Sequence, residues 1–202
     1  MLTIPPAFHE VLGERQDPRM LGAIAGVGLA GTALLVLADR PAFEAVPTWQ
    51  AVAATLLVLD VLCGALANFS RGTNDYYATR PRHRAVFLAI HVHLVAIALL
   101  LGTDLLPAVV VWVVTVAAAA LVTSLRLPAQ QLQVAAAVVV ASGAAVPVLF
   151  AGSTLMTAVA LLFVIKVVLA FAVDHYGGRA THDPAHADAP GPAHRDTARD
   201  AT

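Results

Sequence analysis

Asp60, His91, His93 and Lys166 are the side chains in this sequence able to do proton chemistry where the surrounding residues are apolar. A carboxylate, an imidazole and an ammonium give and take protons in enzymes and proton relays. An ionisable group inside a membrane span is costly enough to point to a function with a named partner. At 1.5 Å rise per residue all four fall ~10–15 Å from the same end of their spans, which places them in one slab of the bilayer. Asp60 then serves as acid or base, His91 as its proton partner, and Lys166 as the group that stabilises developing negative charge. On a continuous helix His91 and His93 are about 200° apart, so both cannot face one site. His91 is expected to face inward, because Arg84, Phe87 and His91 share a face.

Asp60, Gly64 and Asn68 recur at every fourth residue and form a polar stripe, with Gly64 leaving room beside the carboxylate. Segment 70–84 adds Arg71, Asn74, Tyr77 and Arg84, together with Arg80 and Arg82. Guanidinium groups of this kind hold an anionic headgroup or phosphate, and they also serve as a topology signal with interfacial tyrosines. Asn68, Arg71, Asn74, Tyr77, Arg84 and His93 are therefore the candidate substrate-binding residues.

The elements that must position these groups are legible in composition. With 59% hydrophobic and 12% charged residues over 202 positions, the chain lacks the charge that a water-facing surface needs. Six apolar runs, 20–38, 49–69, 85–101, 107–125, 130–150 and 154–173, each approach the ~20 residues that cross a hydrocarbon core. Lipid offers backbone amides no partner, so the runs must be helical. The fold class is all-α: a polytopic membrane protein with a six-helix bundle. Residues 1–19 form an interfacial segment in which Phe8, Val11 and Leu12 rest on the membrane surface, and 175–202 form a tail too polar to order, whose His182, His186 and His194 lack regular ligand spacing.

Arg15, Arg19, Arg71, Arg80, Arg82, Arg84, Arg126 and Arg179 fall before the first run, in the even loops and after the last run, whereas the odd loops hold only Arg40. The positive-inside rule puts both termini in the cytoplasm and the protein in the plasma membrane, the inner membrane of a cell with two. Gly22, Gly26 and Ala30, with Gly28 and Gly31 nearby, allow close helix approach within the bundle or between copies of a homo-oligomer. The lipid bilayer is the expected partner; no nucleic acid and no cofactor is expected.

Cys63 is the single cysteine, which excludes an internal disulfide and a thiolate metal cluster. Asp60, Gly64 and Ala67 match the order and spacing at the start of the CDP-alcohol phosphotransferase motif, and this short stretch resembles that family. The resemblance stops there. Cys63 stands where a metal-binding Asp belongs, Asn68 where the Arg belongs, and Tyr77, Pro81 and Ala85 where the later Gly, Asp and Asp belong. Two histidines on one helix do not supply facing haem ligands. The aliphatic surroundings of Lys166 do not form an aromatic Schiff-base pocket. Three functions remain: an acid–base enzyme acting on a lipid-soluble substrate, a proton-coupled transporter or channel, and an assembly subunit in which Lys166 and Asp60 only set helix register.

Overall fold

The computed structural model describes residues 1–177, so most of the expected tail, including His182, His186 and His194, lies outside the described residues. Six segments are helices long and apolar enough to cross a membrane: Pro18–Ala38, Thr48–Asn68, Pro81–Leu100, Leu105–Ser124, Pro128–Leu149 and Thr154–Phe171. In chain order the elements are strand β1 (Leu2–Thr3), a 3-10 turn at Pro6–Phe8, helix α1 (His9–Leu12), strand β2 (Arg15–Gln16) and the first span, α2 (Pro18–Ala38). Next come the short α3 (Arg40–Glu44), the second span α4 (Thr48–Asn68) and the polar helix α5 (Arg71–Ala78). The third span is two helices, α6 (Pro81–Ile90) and α7 (His93–Leu100). It is followed by α8 (Leu105–Ser124), α9 (Pro128–Leu149) and α10 (Thr154–Val164), which runs on as a π-helix over Ile165–Phe171.

Helix starts follow local chemistry. Asp17 accepts the Arg19 amide at 2.7 Å ahead of Pro18, and Ser153 accepts the Met156 amide at 3.1 Å. Pro81 and Pro128 occupy first-turn positions, where a missing N–H costs nothing. The third helix thus begins at Pro81 rather than at 85, through the polar Arg82, His83 and Arg84.

The sixth span is the most buried and the fifth and first the least. α10 with its π-helical extension packs against α2, α4, α7, α8 and α9 and forms the centre of the bundle, with Phe163 and Leu155 fully buried. Leu34, Leu37, Val140 and Val148 face outward, as hydrocarbon requires. The Asp174 amide donates to Gln131 at 2.8 Å and the Tyr176 hydroxyl to the Phe69 carbonyl at 2.9 Å, so the start of α9, the end of α4 and the end of the sixth span meet at one end. Ser153 meets Asp39 at the other, at 3.4 Å. Gly28 and Gly31 of α2 meet Cys63 and Leu62 of α4, whereas Gly22 and Gly26 face open space.

Residues 1–17 are a folded strap rather than a loose amphipathic turn. β1 pairs antiparallel with β2, Leu2 opposite Gln16 and Thr3 opposite Arg15. Gln16 donates to the Ser70 hydroxyl at 2.7 Å, Tyr77 donates to the Glu10 carbonyl at 2.8 Å, and Arg80 pairs with Glu14 at 2.7 Å. Gly13, at φ +73°, and Gly72 let the strap and α5 touch backbone to backbone: a Cβ on either would overlap the other chain segment's carbonyl. Gly72→Ala is expected to lift the strap off α5 and lower stability by about 1–3 kcal/mol. The readouts are the melting temperature in detergent micelles and the rate of tryptic cleavage after Arg15 and Arg19, which should rise.

Candidate functional site

Asp60 sits on α4 one turn before Gly64, and Lys166 enters from the first turn of the π-helix. The Lys166 ammonium donates to Asp60 Oδ2 at 2.5 Å and to the Asp60 carbonyl at 3.3 Å. A Cβ at Gly64 would lie 2.7 Å from the ammonium nitrogen, so the missing side chain is the space the lysine occupies. The π-helix and α4 are joined again when Asn68 donates to the Lys166 carbonyl at 3.3 Å. Wide π turns inside a span are rare and cluster at functional sites.

His93, not His91, contacts the carboxylate: its Nε2 is 3.0 Å from Asp60 Oδ2. His91 nevertheless joins the same site, its ring centre 4.9 Å from that of His93. The expectation that the two imidazoles diverge fails because the third span is not continuous. α6 stops at Ile90, His91 takes φ −79°, ψ 65°, and α7 starts at His93. The Trp112 indole on α8 donates to the freed His91 carbonyl at 2.9 Å, and the Val92 amide turns back to the Ile90 carbonyl at 2.8 Å. The first-turn amides of α7, on His93, Leu94 and Val95, find no backbone carbonyl. α7 packs on α4, whereas α6 leans on α5 and α8. A wedge is left between α4 and α6.

That wedge is a cavity of about 180 Å³ lined by Asp60, Gly64, Asn68, Tyr77, Phe87, His91, His93 and Lys166, and it continues past Val86 and Ile90 to His83, Val11 and Glu10. Val86 and Ile90 are 57% and 58% exposed on the lipid-facing side, so one wall of the mouth is hydrocarbon. The strap supplies the other wall, with Glu10 3.2 Å from His83.

The ion pair is unequally buried. The Lys166 side chain is 3% exposed and that of Asp60 42%. Both partners take Oδ2, and Oδ1 has no partner among the described residues. His91 Nδ1 lies 2.5 Å from the Phe87 carbonyl, so in the neutral ring Nδ1 carries the proton and Nε2 presents a lone pair. Its ring stacks on Phe87 at 3.6 Å, and Phe87 on Phe171 at 3.7 Å. When His93 donates through Nε2, its buried Nδ1 is left without a partner.

Among the candidate binding residues, Asn68 and Tyr77 line the cavity, but their donors are spent on the Lys166 and Glu10 carbonyls. Burial, Glu10 and Tyr76 raise the Tyr77 phenol above its ordinary pKa, so it remains a donor. Asn74 donates to the Val173 carbonyl at 3.0 Å and Arg84 to the Ala172 carbonyl at 2.9 Å, closing the end of the sixth span. Arg71 lies outside the cavity, paired with Asp75 at 3.3 Å. Sequence reasoning missed Glu10, Val11 and Ile90 as cavity walls and Trp112 as the donor that holds the break. His83, Phe87 and His91 at four-residue spacing were the signal for the α6 wall, and an indole N–H within an aliphatic span was the signal for Trp112. Comparison with protein-family models, curated proteins and solved structures gives no match, so the functional reading rests on this geometry.

Removing one partner of a buried pair leaves the other charge uncompensated. Because the lysine is the dry member, Asp60→Leu is expected to cost about 3–5 kcal/mol, Lys166→Met distinctly less, and the double variant less than Asp60→Leu alone. Unfolding of the three variants in detergent checks the order; equal losses for the two single variants would contradict it.

Proposed function

We propose that the protein is a membrane-embedded acid–base enzyme acting on a lipid-soluble substrate. The observation that carries this reading is the unpartnered Oδ1 of Asp60, on a carboxylate 42% exposed at the wall of a cavity whose mouth is flanked by lipid-facing Val86 and Ile90. The Lys166 ammonium and His93 hold Oδ2, which leaves Oδ1 as the oxygen that exchanges a proton with substrate. The same ammonium stabilises negative charge that develops nearby. His91 Nε2, a lone pair in the same cavity, is the second proton acceptor. The substrate's apolar part stays in the bilayer while its polar end reaches Asp60. The arginines crowd the end that carries the strap and α5, which supports a plasma-membrane orientation with both termini in the cytoplasm.

Lipid extracts from cells with the wild-type gene, with Asp60→Asn and without the gene provide the test. At least one lipid species is expected to change on deletion and to change the same way in Asp60→Asn. Identical extracts from all three would remove the enzyme reading.

A proton-coupled transporter is the second reading. It is favoured by the interrupted third span and by the series Asp60, His93, His91, His83 and Glu10 along one cavity. In proteoliposomes a pH-driven flux should then vanish in Asp60→Asn, and a flux that survives the substitution would exclude coupling through this carboxylate.

A further inference from the structure

Two polar atoms left open in the cavity are acceptors, and this constrains what binds there. Asp60 Oδ1 has no partner, and His91 Nε2 is a lone pair because Nδ1 is committed to the Phe87 carbonyl. His91 is 5% exposed, so its open nitrogen looks into the cavity or at nothing. Of the donors beside them, Lys166 and His93 bond to Asp60, Asn68 to the Lys166 carbonyl, and Tyr77 to the Glu10 carbonyl. A ligand that matches this lining donates hydrogen bonds through hydroxyls; one that only accepts leaves both sites bare.

Size and wall chemistry narrow the class. A dry cavity of roughly 150 Å³ holds benzene, so about 180 Å³ has room for one six-membered ring with its oxygens. Tyr77, Phe87 and His91 form an aromatic wall, and Val86 and Ile90 form a lipid-facing mouth through which an alkyl tail leaves. We infer that the cavity binds the hydroxylated single-ring head of a lipid-soluble phenol, its hydroxyls donating to Asp60 Oδ1 and His91 Nε2 and its tail lying in the bilayer beside α6. This inference rests on the acid–base reading for the chemistry that follows binding, but binding itself is tested separately.

Trp112 is a built-in reporter, since its indole is bonded to the His91 carbonyl at 2.9 Å. The full-length protein carrying Trp49→Phe, in phosphatidylcholine nanodiscs, is titrated with 5-decylresorcinol and with its dimethyl ether, which has the same ring and tail without donors. The resorcinol is expected to give a saturable change in Trp112 emission and to bind roughly tenfold or more tightly than the ether. His91→Phe, which keeps an aromatic ring at that position, and the Asp60→Leu, Lys166→Met double variant should each erase most of that preference, with melting curves confirming that both are folded. Equal affinity for the two probes, absence of saturation, or a preference that survives both variants would overturn the inference. A resorcinol preference combined with unchanged lipid extracts in Asp60→Asn would leave a phenol-binding protein without the proposed catalysis; altered extracts without the preference would leave an enzyme for a different substrate class.

Discussion

The Lys166–Asp60 pair ties the central span to α4 at 2.5 Å, and the departures from regular helix around it accommodate that bond. An ammonium placed among Phe163, Val167 and Val168 is tolerable only with a full set of acceptors close by. Gly64 vacates the volume the lysine fills, and the Asp60 carbonyl serves as a second acceptor beside Oδ2. Asn68 then holds the Lys166 backbone where the helix has widened, so the side chain approaches α4 from a fixed direction. The same helix end is closed by Asn74 and Arg84, which puts the π-helix between two sets of side-chain donors.

The two partners of this pair are unequally buried. Two charges kept only to lock helices are best shielded equally, since each oxygen left open lowers the attraction through solvent. Here one oxygen of the carboxylate takes both partners and the other is left to the cavity, while the ammonium is dry. The carboxylate is therefore held by its neighbours and still reachable, which is the condition a proton-transferring group must meet. Glu10 and Val11 place the amino-terminal strap at the cavity's edge, so access to Asp60 depends on a segment held by Gln16, Tyr77, Glu14 and the two facing glycines, Gly13 and Gly72.

The six spans were legible because apolar runs near twenty residues have one structural outcome in lipid. The depth argument also placed Asp60 and Lys166 at one level, and they meet. What the chain concealed were long-range choices. Nothing local marks the break at His91 and Val92, where neither glycine nor proline stands; its acceptor is taken by Trp112, twenty-one residues away. The strap was hidden for the same reason, since Leu2–Gln16 pairing and the Gly13–Gly72 approach involve residues with no shared periodicity. The polar residues of segment 70–84 read as free ligands because the carbonyls at the end of the sixth span were not counted. Every helix end leaves such carbonyls, and Asn74 and Arg84 are the donors that reach these.

The break itself has an energetic consequence. Continuing α6 into α7 would satisfy the amides of His93, Leu94 and Val95 within the helix, and in hydrocarbon each unpaired amide costs several kcal/mol. The chain forgoes those bonds. A healed helix would instead turn His91 and His93 to opposite faces, leaving the cavity without its second acceptor. The interruption is thus what brings both histidines to one cavity.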